Sequence, residues 1–250
     1  MNRTQIPRRL RAAALSALVL ALVACGGGAA DPVDTTGSGT PSSSGGGSTG
    51  STGSGGSTGS TGSTGGNLPH AGMGDSNAAP TGPAYAWPQE VQVEQPIKGD
   101  DPFCVPPDQH ATPPVGHGGL VRVCLGFRNT GLVPITVTLP PGLIFVSDSL
   151  ETQNGVVLST TTIVVPATTT TWYVPVYVYC LNLGRHNTAG GQDTYKTGPL
   201  TDDASLLELL ALLQGKRVTP AFDFKLQQIL WDITDGSGLT QQDRDAIAAL

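Results

Sequence analysis

Among residue types able to do chemistry, the thiols come first. The chain has four cysteines, Cys25, Cys104, Cys124 and Cys180. Cys180 ends the apolar stretch "VYVYC" and opens the polar loop "LNLGRHN". A thiolate is a nucleophile and a metal ligand, whereas a buried thiol is a small hydrophobe or half of a disulfide. With Cys25 set aside in the leader discussed below, the other three allow three single bridges. Cys104 with Cys124 is favoured, because it would staple the proline-rich "DDPFCVPP" onto the neighbouring strand; Cys180 is then the odd thiol, although either of the others could pair with it instead. Asp108, His110 and His117 in "PDQHATPPVGHGG" are metal-ligand types, but a Gly-Pro loop without a third firm ligand reads as solvated, so no metal is expected. His186 stands isolated. "WDITDGSGLTQQD" mixes acids and glycines off the EF-hand positions and reads as a turn between helices. No phosphate-cradling loop, ordered Ser-His-Asp set or paired carboxylates stand out, so no catalytic residue and no cofactor are expected.

A second group joins Cys180 through "LQQILW", Leu226 to Trp231, where a glutamine is flanked by large apolar residues on a helical pattern. "YCLN" followed by "LQQILW" resembles the two halves of bacterial thioester domains, an aromatic-Cys block at a strand end and an apolar-Gln-x-apolar-apolar block. The resemblance implies that Cys180 supplies the thiol and Gln227 the acyl group of an internal thioester. Tyr179 and Trp231 would be shielding residues and Gln228 the solvent-side neighbour. In such a bond the thiolate displaces ammonia from the carboxamide, and an amine later attacks the thioester. Without it, "LQQILW" is the apolar face of a packed helix with two exposed amides. "GDSN" at Gly74 to Asn77 resembles the serine block of some esterases, but no buried strand precedes it, so composition accounts for it.

The elements that must position these groups come in two textures. The first is β. "LVRVCLGFRN" alternates Val121, Val123, Leu125 and Phe127 against Arg122, Cys124, Gly126 and Arg128, the period of a half-buried strand. "VPITVTL", "LIFVS", "VVLSTTTIVVP" and "TTWYVPVYVYCL" read as further strands, separated by the turns "NTG", "PPG" and "QNG". "FRNTGLVPITVTLPPGLIF" resembles the immunoglobulin-like repeats of bacterial surface proteins, which implies a β-sandwich over 84–199. The second texture is α, over 200–250. Leucines from Leu206 to Leu213 recur at helical spacing after an Asp-rich start and stop at Gly215. "FDFKLQQILWDIT" is a second helix, and "TQQDRDAIAAL" a third that opens with Thr240 and Asp243 in a capping-box-like arrangement. The expected fold class is therefore α+β, an Ig-like sandwich with a small C-terminal helical segment packed on it.

Ahead of this body the chain reads as address and tether. Arg3, Arg8, Arg9 and Arg11 precede the short apolar run "AAALSALVLALVA", which is signal-peptide chemistry over 1–24. "LVAC", Leu22 to Cys25, resembles the bacterial lipobox, implying cleavage before Cys25, acylation of its thiol and membrane attachment through the lipid. A twin-arginine export signal is the competing reading of Arg8 and Arg9, and an ordinary secretory signal that of Cys25. Gly26, where an aspartate would favour inner-membrane retention, points to the outer membrane of a bacterial envelope. Gly26 to Gly66 is almost wholly Gly, Ser and Thr, too polar to offset the entropy of ordering, and the whole of 25–83 reads as a disordered tether. About forty such residues have a root-mean-square span of roughly 35 Å.

Loss of 1–24 removes four of thirteen basic residues and none of nineteen acidic ones, leaving nine against nineteen. A chain this acidic is no partner for nucleic acid and is repelled by phospholipid, so the lipid on Cys25 must hold it. Three readings follow. The first is a tethered envelope lipoprotein with a structural or binding role toward a protein or glycan. The second is a surface adhesin whose Cys180–Gln227 thioester reacts with amines. The most distant is a metal-assisted hydrolase at the histidine loop.

Overall fold

The computed structural model describes residues 70–99, 112–188 and 192–250. The expected leader, the lipidation site Cys25 and the Gly/Ser/Thr repeat lie outside these residues, as do Cys104, Asp108 and His110. The described strands are β1 (Val91–Val93), β2 (Ile97–Gly99), β3 (Val115–Gly116), β4 (Val121–Asn129), β5 (Ile135–Leu139), β6 (Leu143–Ser147), β7 (Gly155–Val156), β8 (Thr161–Val165), β9 (Thr168–Cys180) and β10 (Thr194–Leu200). Three helices follow, α1 (Ala204–Leu213), α2 (Pro220–Thr234) and α3 (Gln241–Ala248).

The expected Ig-like sandwich does not form. Strands pair in the cycle β4–β2–β10–β6–β7–β9 and back to β4, which closes a six-stranded barrel. The α+β assignment gives way to a mostly β body with three short helices. The reason lies in the closing strands. β2 is "IKG" and β10 is "TYKTGPL", sequences whose Lys, Gly and Pro read as loop, and without them the apolar strands look like two open sheets. Gly198 in β10 is needed for closure, because a Cβ there would stand 2.7 Å from Val146 Cγ2 and 2.8 Å from the Ile144 carbonyl oxygen of β6. Closure leaves side chains to fill the interior. Val121, Val123, Leu125 and Phe127 of β4 and Val174, Val176, Val178 and Cys180 of β9 share one buried cluster, joined by Val137, Leu139, Ile163 and Val165 of the separate β5–β8 pair. The "NTG" turn works through Asn129, whose side-chain oxygen accepts from the Gly131 N–H at 2.8 Å, an Asx-turn.

The end of β9 and the residue after it serve a second core. Tyr179 and Leu181 face away from the barrel interior and pack with Ile144, Val156 and Leu158 against Leu206, Leu209, Leu226, Ile229, Leu230 and Ile233 of α1 and α2. The helices start on side-chain caps where the sequence offers them. The Asp203 carboxylate accepts from Ser205 and Leu206 N–H, and Thr240 with Asp243 makes a full capping box, each satisfying N–H groups that the helix leaves open.

The N-terminal boundary also differs from expectation. Residues 70–83 had been assigned to the disordered tether, yet they form a strap on the body. Met73 is buried, the Gly74 N–H donates to the Leu181 carbonyl at 2.8 Å, and Asn154 and Asn182 donate side-chain amides to the Gly72 carbonyl. His70 bonds to Asp203. Such a strap has few apolar side chains, so nothing in its hydrophobic pattern marks it; it is held by backbone groups finding buried amide partners. The "GDSN" stretch falls in this strap. Ser76 accepts from Ala78 N–H through its hydroxyl and from Arg185 through its carbonyl.

Candidate functional site

β9 brings Cys180 to the end of the barrel as the last inward residue of an alternating run, and α2 crosses that end. Helix α2 starts with Thr219 at the N-cap and Pro220 in the first turn. Asp223, Gln227 and Trp231 are spaced by four and line one face, while Leu226, Ile229, Leu230 and Ile233 turn to the helical core. Cys180 and Gln227 are thereby brought together. The Cys180 N–H donates to Gln227 Oε1 at 2.9 Å, and Gln227 Nε2 donates to the Cys180 carbonyl at 2.9 Å, across a sequence separation of 47. The carboxamide is clasped along its polar edge by the backbone of the residue whose thiol would attack it. Gln227 is 4 % exposed and Cys180 is not exposed at all.

The sulfur has its own partners. The Asn182 N–H points at Sγ from 3.3 Å and the Trp231 indole Nε1–H from 3.5 Å. Cys180 is a free thiol. Burial, partly opposed by these two donors, pushes its pKa up to about 11, so the unreacted sulfur stays protonated at neutral pH. Of the other thiols, Cys124 is disulfide-bonded, and its proposed partner Cys104 lies outside the described residues. Cys124 and Cys180 face opposite sides of the barrel wall, as the alternation of β4 and β9 requires.

One turn before Gln227, Asp223 gathers two further groups. The Tyr179 hydroxyl donates to Asp223 Oδ1 at 2.7 Å, and His117 Nδ1 stands 3.5 Å from the same oxygen. Burial and the neighbouring carboxylate both raise the Tyr179 pKa, burial more, which keeps the phenol a donor. His117 is placed by Gly118 (φ +102°), where a Cβ would fall 2.6 Å from the Val178 carbonyl oxygen; the loop can press onto β9 only without a side chain there. A pocket of about 460 Å³ opens over this group, lined by Gly118, Leu120, Arg122, Asp223, Phe224, Gln227 and Trp231 among others. Arg122 lies over the Tyr177 ring, 4.9 Å from its centroid, and donates through Nε to the Gly119 carbonyl.

The expected Cys180, Gln227, Tyr179 and Trp231 thus converge. Tyr179 does so through Asp223 instead of covering the sulfur, and Gln228 is exposed. His117, weighed as a metal ligand with Asp108 and His110, faces a carboxylate on α2. Among the described residues no group of three His, Cys, Asp or Glu is placed to hold a metal ion, and no described helix is long and apolar enough to cross a membrane. Sequence reasoning missed Asp223 and Asn182. The four-residue spacing of Asp223, Gln227 and Trp231 was the available signal for the first, and Asn182 had none beyond adjacency. No family model, curated protein or solved structure matches the chain.

Proposed function

We propose that this protein is a lipid-tethered envelope protein whose barrel carries an internal thioester between Cys180 and Gln227, by which it acylates a primary amine on a surface it meets. The observation that carries the reading is the reciprocal clasp of the Gln227 carboxamide by the Cys180 backbone, beside a buried thiol with no disulfide. In the forming step the S–H and Cδ–Nε2 bonds break, the Sγ–Cδ bond forms, and the thiol proton leaves with nitrogen as ammonia; no co-reactant is needed. Loss of Nε2 gives up its bond to the Cys180 carbonyl. Oε1 keeps the Cys180 N–H, which is aimed at the oxygen that gains charge when a nucleophile adds. In the second step an amine nitrogen bonds to Cδ, the Cδ–Sγ bond breaks, and the amine's proton restores the thiol. An amide is the more stable acyl compound in water, so a thioester persists only where water is kept from its carbonyl. The burial of both groups serves that need. The anchor rests on "LVAC" and the charge balance, and the repeat from Gly26 to Gly66 serves as the tether.

Intact mass tests the bond. The chain is expected to weigh about 17 Da less than an otherwise identical unacylated one, allowing for any disulfide, and methylamine is expected to add to Gln227 and free one thiol. Cys180→Ala and Gln227→Ala each remove both signatures. A wild-type mass equal to the plain chain would overturn the thioester and leave Gln227 as a structural tie between α2 and β9 in a tethered binding or structural protein.

A further inference from the structure

We infer that the pocket beside Gln227 is an ammonium-selective subsite, in which Asp223 holds the cationic end of a lysine-like side chain and His117 accepts its proton before attack. The inference rests on the thioester reading and adds to it a choice of nucleophile. A primary amine arrives at neutral pH as an ammonium, with no lone pair to offer. It needs an anion to gather it and a base to deprotonate it, both close to the acyl carbon. Asp223 is one helical turn from Gln227 on the same face, and both line one pocket. Its carboxylate is 21 % exposed, Tyr179 fixes it through Oδ1 from the buried side, and His117, 30 % exposed, stands 3.5 Å away, next in the chain to Gly118, which lines the pocket.

The charges facing this subsite come from three elements. α2 supplies the Asp223 carboxylate, the loop before β4 supplies His117, and β4 supplies Arg122. The arginine, which also lines the pocket, is engaged by its Nε bond to the Gly119 carbonyl and its stacking on Tyr177. Phe224 is 70 % exposed and, with Trp231 and Leu120, offers apolar surface for the methylenes of the incoming chain. The proton balance is simple. The ammonium gives one proton to the imidazole and the free amine attacks Cδ; as the Cδ–Sγ bond breaks, the second proton lost from nitrogen passes to the departing sulfur, and the imidazolium releases the first to water.

The experiment compares two probes on the full chain. Methylamine is almost wholly protonated at neutral pH, while methoxyamine is almost wholly unprotonated and needs neither ammonium capture nor prior deprotonation. In wild type and in His117→Phe, Asp223→Asn and His117→Gln, the rates at which the mass deficit is lost to each probe are measured. The ratio of methylamine to methoxyamine rate constants is expected to fall on the order of a hundredfold in each variant, the scale of general-base assistance. An unchanged ratio overturns the inference, whether both rates fall together or neither does. Loss of the deficit in His117→Phe with an intact fold also overturns it, because the histidine would then act in forming the bond. A wild-type chain with no deficit overturns the thioester itself, an outcome separate from all of these.

Discussion

The barrel core and the helical core meet along β9 and differ in what they contribute to the site. The barrel core is built from β-branched and aromatic side chains on paired strands, and it holds the thiol of Cys180 in the row of Val174, Val176 and Val178. The helical core is built mostly from leucine and isoleucine on helices that lean against one wall of the barrel, and it holds α2 so that Gln227 faces the strand end. Each core supplies one reactant. Neither alone can set the distance between them, so the clasp depends on how two separately packed bodies register at a seam.

That contrast is broken most directly by emptying one core at a time. Leu125 and Leu230 are both fully buried, and truncation of either to alanine is expected to cost about 2–5 kcal/mol in denaturant unfolding. The expected difference is in the bond. Leu125→Ala keeps the mass deficit, while Leu230→Ala lets α2 shift and loses part of it. Equal thioester yield in the two variants would mean that the packing of α2 does not set the pair.

A smaller effect sharpens the role of Trp231, which reaches from α2 back to the barrel sulfur. Trp231→Phe keeps apolar cover but removes the indole N–H that points at Sγ. One hydrogen bond to a leaving thiolate of about 1 kcal/mol corresponds to a roughly fivefold slower aminolysis. Stopped reactions analysed by mass would read it, and a faster reaction in Trp231→Phe would show that the indole shields more than it assists.

The smallest effect separates acylated from unacylated protein. In the unacylated chain Cys180 has a folded pKa of about 11 against 9.0 for a free thiol. The fold therefore keeps the proton that the unfolded chain loses first. Stability is full below 9.0 and declines as pH rises from there toward about 11. Chemical unfolding across this range is expected to show the decline in Gln227→Ala and not in Cys180→Ala. Tyr195, pushed up to about 12 mainly by burial and to a lesser degree by the Asp193 and Cys180 charges, adds a decline of its own to both, slightly smaller where Cys180 is gone. Matching alkaline profiles would refute the assignment to the thiol.

Much of the body was legible in the sequence and its closure was not. Period-two alternation marks β4 and β9, and apolar spacing marks all three helices, with capping residues at α1 and α3, because these elements bury a face against a core. β2 and β10 escape because Ile97 and Tyr195 are their only fully buried large side chains, and short strands rich in Lys, Gly and Pro are defined by the neighbours they pair with. The same holds at the site. Cys180 and Gln227 were legible by motif, since a glutamine flanked by large apolar residues on a helix is unusual. His117 was visible as a histidine but not as a neighbour of Asp223, because that contact joins a glycine loop to a helix over a hundred positions on and leaves no periodic trace.

The strap from His70 to Asn77 gives the site a mechanical side. It enters the body beside the site, held by His70 to Asp203, by Gly74 to the Leu181 carbonyl next to Cys180, and by Arg185 to the Ser76 carbonyl. A covalent link at Gln227 would leave the body through α2, at the same end. Tension between an N-terminal anchor and that link would therefore load the strap and the helical seam first. The barrel is then less a chain of links under load than the frame on which both fastenings are mounted.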